Sequence, residues 1–301
     1  MPSVFIDGEA GTTGLKIRER LEGGGTLRIR SLPEALRKNP EARQSIMADV
    51  DIVVLCLPDE AAREAVALAD ALGASAPRLL DASTAHRTAA GWTYGFAELT
   101  PSQPAAIASA KRVSNPGCYA TAAIALLRPL VERNILPRDQ PVSINAISGY
   151  SGGGRAMIEA HEASGGPAFE LYGLGLGHKH VPEIMAHAGL TTRPIFVPSV
   201  GHFRQGMLLS IPLHLDMLGG GHSAGEIEAV LRQHYAGSRY VGVHDLPESG
   251  TLEPQALNET DVLELFVAGR DGQAVLIARL DNLGKGAAGA AVQNLNLMVK
   301  P

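Results

Sequence analysis

A short apolar run ending in an acid, Val4-Phe5-Ile6-Asp7, leads directly into Gly8-Glu9-Ala10-Gly11-Thr12-Thr13-Gly14, and the helical apolar spacing of Leu15 to Leu21 begins immediately afterwards. Strand, glycine turn and helix in this order constrain the fold more than any other stretch. A helix that follows a buried strand so closely packs back on the sheet and delivers the next strand parallel to the first. The glycines let the backbone approach a pyrophosphate, and the helix start supplies N–H groups to it. Gly8, Gly11, Thr12, Thr13 and Gly14 are therefore candidate dinucleotide-binding residues. The G-x-x-G-x-x-G spacing is looser by one residue than the best-known fingerprint, and a tight turn without ligand is the bland alternative. Its position after an N-terminal strand favours the nucleotide.

The second strand, expected at Leu27 to Leu32, bears on which nucleotide. An NAD site wants Asp or Glu at the end of this strand to hold the ribose hydroxyls, whereas Arg28, Arg30 and Ser31 stand here and suit a 2′-phosphate. NADP is favoured over NAD, with Arg30 and Ser31 as its candidate contacts. Asp51 to Leu57 is continuously apolar after its first residue, as a parallel strand buried on both faces should be. A helix is expected over 59–72 and a further strand at Arg78 to Asp81, so strands and helices alternate as in a Rossmann-like domain over residues 1–116.

Pro116-Gly117 is a sharp break, after which a helix is expected from Tyr119 to Glu132 and a strand from Val142 to Ile147. Met207, Leu209, Ile211, Leu213 and Leu215 are apolar at every second position, the pattern of a half-exposed antiparallel strand. Two more strands, 262–268 and 274–280, flank the hairpin signal Gly269-Arg270-Asp271-Gly272. The stretch from Leu283 to Met298 is glycine- and alanine-rich and then helical. The chain thus reads as α/β: a Rossmann-like nucleotide-binding domain, then an α+β domain with a mixed sheet over residues 117–284.

Composition removes several classes of function. With 301 residues, a net charge of −5 and no Lys/Arg run longer than two, the chain offers no field for a polyanion, so nucleic acid is not an expected partner. Two cysteines, Cys56 and Cys118, form no framework and no C-x-x-C pair, which suits a reducing compartment. No apolar stretch approaches the roughly 20 residues a membrane span needs, and the N-terminus lacks the pattern of a signal peptide. A soluble cytoplasmic protein is expected.

Chemistry concentrates at three places. In Ser114-Asn115-Pro116-Gly117-Cys118-Tyr119 a Pro-Gly turn brings Cys118 to a helix start, where the positive end of the helix favours the thiolate nucleophile. The alternative is a small buried hydrophobe, which is the reading for Cys56 in mid-strand. In Gly177-His178-Lys179-His180-Val181-Pro182-Glu183, His178 or His180 can serve as acid/base for the thiol. The same residues with His187 could instead hold a metal, or cap a helix at the surface, and His202 competes for the acid/base role. Finally, Ser148-Gly149-Tyr150-Ser151-Gly152-Gly153-Gly154-Arg155 can wrap a substrate with Arg155 pairing a carboxylate or phosphate, or be a flexible connection.

Taken together these motifs resemble the N-acetyl-gamma-glutamyl-phosphate reductase family, in its shorter type 2 form. The resemblance is nearly end to end. It adds Leu55-Cys56-Leu57-Pro58-Asp59-Glu60, Asp81-Ala82-Ser83-Thr84 and Asp281-Asn282-Leu283-Gly284-Lys285-Gly286-Ala287 to the runs above. Asn-Pro-Gly-Cys-Tyr-Ala-Thr is the most specific; the sister family, aspartate-semialdehyde dehydrogenase, usually places Asn directly before its cysteine. The resemblance implies NADPH-dependent reduction of N-acetyl-L-glutamyl 5-phosphate to the semialdehyde, with release of phosphate, through a thioester in arginine biosynthesis. It implies Cys118 as nucleophile and His180 (or His178) as acid/base; with a nucleophile in place, the histidine cluster is expected to hold no metal. Asn282, Gly284, Lys285 and Gly286 would line the cofactor pocket, and a C-terminal helix 285–301 would complete the nucleotide domain. Residues 117–284 would form the catalytic and oligomerisation domain of a homodimer or homotetramer. Ser83, Arg87, Arg112, Asn115, Ser148, Gly149 and Arg155 are the candidate substrate contacts, although the segment around His86 departs from the longer family form. A sister-type acyl-phosphate reductase, a non-catalytic nucleotide-binding regulator and a metal hydrolase built on the histidines are the alternatives.

Overall fold

The computed structural model describes residues 1–25 and 27–299. The chain divides into two compact units, Met1–Pro116 with Ala287–Pro301, and Gly117–Gly286. The first unit runs β1 (Ser3–Asp7), α1 (Thr12–Gly24), β2 (Arg28–Arg30), α2 (Pro40–Ala48), β3 (Ile52–Leu55), α3 (Asp59–Asp70), β4 (Arg78–Asp81), β5 (Thr93–Tyr94), α4 (Gln103–Ser109) and β6 (Arg112–Ser114). Its sheet is six-stranded in the order β2-β1-β3-β4-β6-β5, every pair parallel. Because successive strand side chains face opposite ways, Val4 and Ile6 join Ile17, Leu21 and Ile107 in one core, while Phe5 joins Met47, Val53 and Ala65 in another. Each Val, Ile, Leu, Met or Phe side chain so buried stabilises the unit by about 1.5–3 kcal/mol. Both faces of β3 are covered, which is why Ile52–Leu55 is apolar without alternation.

The second unit runs α5 (Cys118–Glu132), β7 (Ser143–Gly149), α6 (Gly154–Ser164), β8 (Phe169–Leu171), α7 (His180–Ala188), β9 (Ile195–Gly201), β10 (Met207–His214), α8 (Ala224–His234), β11 (Val241–Val243), β12 (Leu263–Arg270) and β13 (Gln273–Leu280). Seven strands lie in the order β11-β12-β13-β10-β7-β9-β8. The sheet is mixed: β7 pairs parallel with β9 and antiparallel with β10, and β11 pairs parallel with β12. Met207, Leu209, Ile211 and Leu213 of β10 are buried and the residues between them are not, as the alternation predicts. Helix α5 is buried almost all round, from Tyr119 to Leu127 and again at Leu130 and Val131, so its first turn is rigidly placed.

Local differences from the expected elements have simple causes. The β12–β13 hairpin is tighter than the four-residue signal, with Arg270 opposite Gln273 and only Asp271 (φ 48°) and Gly272 (φ 79°) in the turn. Two left-handed residues match the strand twist. The glycine-rich run 148–155 is neither loop nor linker: it ends β7, makes one 3-10 turn over Tyr150–Gly153 and opens α6. The closing helix is a π-turn over Gly284–Ala288 followed by α9 (Gly289–Met298), which packs on α1 and α4 in the first unit. Residues 300 and 301 of the expected helix lie outside the described residues.

Candidate active site

In the first unit the glycine turn is shaped by close backbone packing. Gly8 has φ +90°, and a Cβ there would overlap the carbonyl oxygen of Cys56; one on Gly14 would come within 2.5 Å of the Gly8 oxygen. Gly11 differs, since its Cβ would meet nothing nearer than 3.4 Å. It caps α1 with no side-chain acceptor and no acid in the first turn. The first N–H groups of α1, those of Thr12, Thr13 and Gly14, precede the helix's own hydrogen-bond ladder, the position at which a helix receives an anion. A dinucleotide pyrophosphate fits this cradle.

Around it, Glu9 is buried and accepts from Arg18 Nη1 (2.6 Å), Arg37 Nη2 (2.8 Å) and Ser31 Oγ (2.8 Å). Arg30 lies elsewhere. In the parallel register it pairs with Phe5, which belongs to the core under α2 and α3, and its guanidinium is 3.9 Å from Asp49. Asp81, fully buried, accepts from Ser83 Oγ (2.7 Å) and Ser83 N (2.9 Å) and shares a 2.6 Å hydrogen bond with His86 Nδ1; His86 stacks on Trp92 at 4.3 Å. Arg87 donates to the Ala82 carbonyl at 3.2 Å. Arg112 pairs with Asp70 and lies 5.9 Å over the Trp92 ring. Asn115 donates to the Ala287 carbonyl (3.0 Å) and accepts from Asn294 Nδ2 (3.1 Å), so its amide ties α9 into the unit.

The second unit gathers the thiol chemistry. Cys118 is the first residue of α5, one position earlier than the expected helix start. Its cap, Gly117, receives Thr121 N and Thr121 Oγ1 on its carbonyl and donates its own N–H to Glu183 Oε1 at 2.8 Å. Glu183 is 1% exposed and stands one helical turn after His180 on α7. No side chain caps α5, and Cys118 is its first residue. Gly286 packs on the nucleophile so closely that a Cβ there would lie 2.8 Å from the Cys118 Cβ.

Rings surround this helix start. Tyr119 meets His180 edge-on at 5.8 Å and His178 at 5.9 Å, and the two histidine rings are 4.8 Å apart. Tyr172 donates to the Tyr119 oxygen at 3.1 Å. Burial pushes the Tyr119 phenol well up, with Tyr172 and Cys118 adding, and pushes Tyr172 up to about 12, so both stay protonated at neutral pH. Burial also pushes His178 down to about 4, with Lys179 adding; its Nδ1 accepts the His180 backbone N–H at 3.1 Å. His180 itself is buried. Among the described residues, no group of three or more His, Cys, Asp or Glu side chains is arranged to hold a metal ion. His202 is exposed and is bonded to His161 at 3.1 Å.

Of the remaining candidates, Ser148 is buried and lies near the Tyr119 phenol, and Gly149 is close-packed on the Arg204–Gln205 backbone. Arg155 is exposed in the first turn of α6. Asn282 donates to Ser151 Oγ (3.0 Å) and accepts from Gly206 N (2.8 Å), and Gly284 is tight against the Thr260 carbonyl. Lys285 is 1% exposed with its ammonium 5.2 Å from the Tyr240 ring centroid, inside the second unit. Tyr119, Tyr172 and the cap bond from the Gly117 N–H to Glu183 are additions to the expected set. The i, i+3 spacing of His180 and Glu183 ahead of a helical run is the signal that could have found the last.

A parallel dinucleotide-type unit joined to a mixed-sheet unit with a helix-start cysteine defines the semialdehyde dehydrogenase class. Residues 118–282 match the family described as "Semialdehyde dehydrogenase, dimerisation domain". N-acetyl-gamma-glutamyl-phosphate reductase 2 of Pseudomonas putida is 55% identical to the chain, covering 99% of it and 97% of the relative. N-acetyl-gamma-glutamyl-phosphate reductase of Burkholderia lata is 52% identical over 99% and 96%. Among solved structures, aspartate semialdehyde dehydrogenase with NADP from Candida albicans shares the fold at a TM-score of 0.69 and 12% identity, covering 99% of this chain and 98% of its own. The chain belongs to the N-acetyl-gamma-glutamyl-phosphate reductase family.

Proposed function

We propose that the chain catalyses the NADPH-dependent reduction of N-acetyl-L-glutamyl 5-phosphate to N-acetyl-L-glutamate 5-semialdehyde and inorganic phosphate, a step of arginine biosynthesis. The observation that carries this reading is Cys118 as the first residue of α5 in a chain of this family. The Cys118 thiolate attacks the acyl carbonyl, forming a carbon–sulfur bond as the bond to phosphate breaks and phosphate leaves. The Cys118 N–H, at the start of α5, stabilises the oxyanion that develops beside it. NADPH, when bound at the glycine turn, supplies the hydride that brings the acyl group to the aldehyde level. His180 protonates the resulting oxygen and withdraws the proton as the carbon–sulfur bond breaks. His178, held neutral and hydrogen-bonded to the His180 backbone, fixes that residue's position. Ser148 and Arg155 are the proposed substrate contacts in this unit.

The assay is NADP+ reduction with N-acetylglutamate semialdehyde and phosphate or arsenate. Activity with this aldehyde and none with aspartate semialdehyde is the expected result. The reverse preference would assign the sister reaction, and nucleotide binding without turnover would assign a regulator.

The sheet of the second unit supports a homo-oligomer. Its open side carries a cavity of about 560 Å³ lined by residues including Ile147, Phe169, Leu171, Val197 and Leu208, and Phe169 is 55% exposed. A second copy covering this side would bury it, as a family described by its dimerisation domain suggests. Among the described residues no helix is long and apolar enough to cross a membrane, and the free cysteines fit the cytoplasm.

A further inference from the structure

The cations that meet Ser31 at the end of β2 are not those on the strand itself. Arg28 and Arg30 alternate with Ile29, and Ile29 packs on the α1 side of the sheet, so Arg30 stands on the opposite side near Asp49. Ser31 donates instead to Glu9, and the same carboxylate receives Arg18 from α1 and Arg37 from the segment after β2. Glu9 is anchored in the glycine turn, and its side chain is only 8% exposed while those of Arg18 and Arg37 are 36% and 41% exposed. A buried carboxylate thus holds two reachable guanidinium groups and a hydroxyl together, in the place where a dinucleotide fold reads the adenosine ribose.

We propose that Arg18, Arg37 and Ser31 form the 2′-phosphate site and that Glu9 is the residue that sets its selectivity. This inference rests on the NADPH reading above and names the residues behind it. Glu9 keeps the donors assembled when no nucleotide is present. A 2′-phosphate, carrying up to two negative charges and able to take a bidentate arginine, competes with the carboxylate for Arg37 and Ser31. Arg18 already has a second partner, Glu22 at 2.8 Å one helical turn away, and keeps charge balance as the site changes occupant. A nucleotide with a free 2′-hydroxyl offers nothing to the arginines, but its hydroxyl can donate to Glu9. The carboxylate therefore weakens NADP and strengthens NAD, and the arginines do the opposite.

The test is calorimetric binding of NADP+, NAD+, 2′,5′-ADP and 5′-ADP to the wild-type chain and to Arg37→Ala, Arg18→Ala and Glu9→Gln, with no turnover involved. Arg37→Ala should weaken NADP+ and 2′,5′-ADP by about 10–100-fold and leave NAD+ and 5′-ADP within about threefold. Glu9→Gln, nearly isosteric, should tighten NADP+ several-fold and weaken NAD+, with Arg18→Ala intermediate. Equal losses for both nucleotide pairs in Arg37→Ala and Arg18→Ala, or weaker NADP+ binding in Glu9→Gln, would overturn the assignment. Circular dichroism of each variant separates a binding loss from unfolding, and the ratio between nucleotides within one variant is independent of the folded fraction. Failure of the wild-type chain to bind NADP+ would instead remove the cofactor reading on which the inference rests.

Discussion

The two units each carry one cysteine, and the contrast between those cysteines shows how position decides chemistry. Cys56 follows β3 and packs against the core of the parallel sheet; burial pushes its thiol up to about 12, with Asp81 and Asp7 adding. Cys118 stands in the other unit at the first position of an almost wholly buried helix, with the helix N–H groups beside it and a carboxylate, Glu183, one peptide back on the cap. The first unit holds a side chain by surrounding it, and the second presents one by ending a coil segment at a helix start.

Breaking this contrast gives the largest expected effect. Cys118→Ser should lower kcat by at least ~10³ with NADP+ affinity intact, because an unactivated hydroxyl does not replace a thiolate. Cys56→Ser should keep most of its activity. Steady-state rates and nucleotide titrations on the two variants check both expectations, and similar losses in the two would erase the distinction. Next comes His180→Asn, expected to cost ~10²–10⁴ in kcat with little change in substrate KM, since the proton moves only in the transition state. His178→Asn should cost far less. A larger loss at His178 than at His180 would exchange their roles.

A third change sharpens the comparison from the side of the nucleotide unit. Gly8→Ala puts a Cβ into the Cys56 carbonyl at φ +90°, which should destabilise the chain by about 2–4 kcal/mol in chemical denaturation and reduce NADP+ binding. Gly11→Ala has room for its methyl group and should spare stability while still hindering the nucleotide.

The smallest effect concerns pH. His178 is held near 4 in the folded chain against an ordinary 6.5, so between these values the unfolded chain binds more protons and stability falls as pH falls. The loss by pH 5 should be about 1–2 kcal/mol from this group, and His178→Asn should flatten that part of the profile. Burial raises Asp7 and Asp281, which titrate in the opposite sense, so the difference between wild type and variant isolates the histidine. An unchanged melting-temperature profile in the variant would show that the ring is not the group responsible.

The α/β class and the elements with a clear period are legible in the amino-acid sequence. The uninterrupted apolar run of β3 and the every-second-residue pattern of β10 each correspond to a face or pair of faces that is buried. Strands β5 and β6 have two and three residues, too few to show any period, and depend on partners in the sheet. Site geometry divides along similar lines. The Asn-Pro-Gly-Cys run announces a helix start locally. By contrast, the Glu183–Gly117 bond spans 66 positions, and the Arg37–Glu9 bond spans 28. Strand alternation could have separated Arg30 from Ser31, but which arginines join Ser31 at Glu9 depends on how α1 and the segment after β2 meet. Long-range polar contacts of this kind leave no periodic trace.

The most direct test of Cys118 as covalent catalyst is a single-turnover experiment with NADP+ and N-acetylglutamate semialdehyde in the absence of phosphate and arsenate. A burst of NADPH equal to one per chain is expected, with the acyl group found by peptide mass spectrometry on Cys118 and released when phosphate is added. Turnover in the presence of phosphate with no burst and no acylated Cys118 in its absence would contradict it.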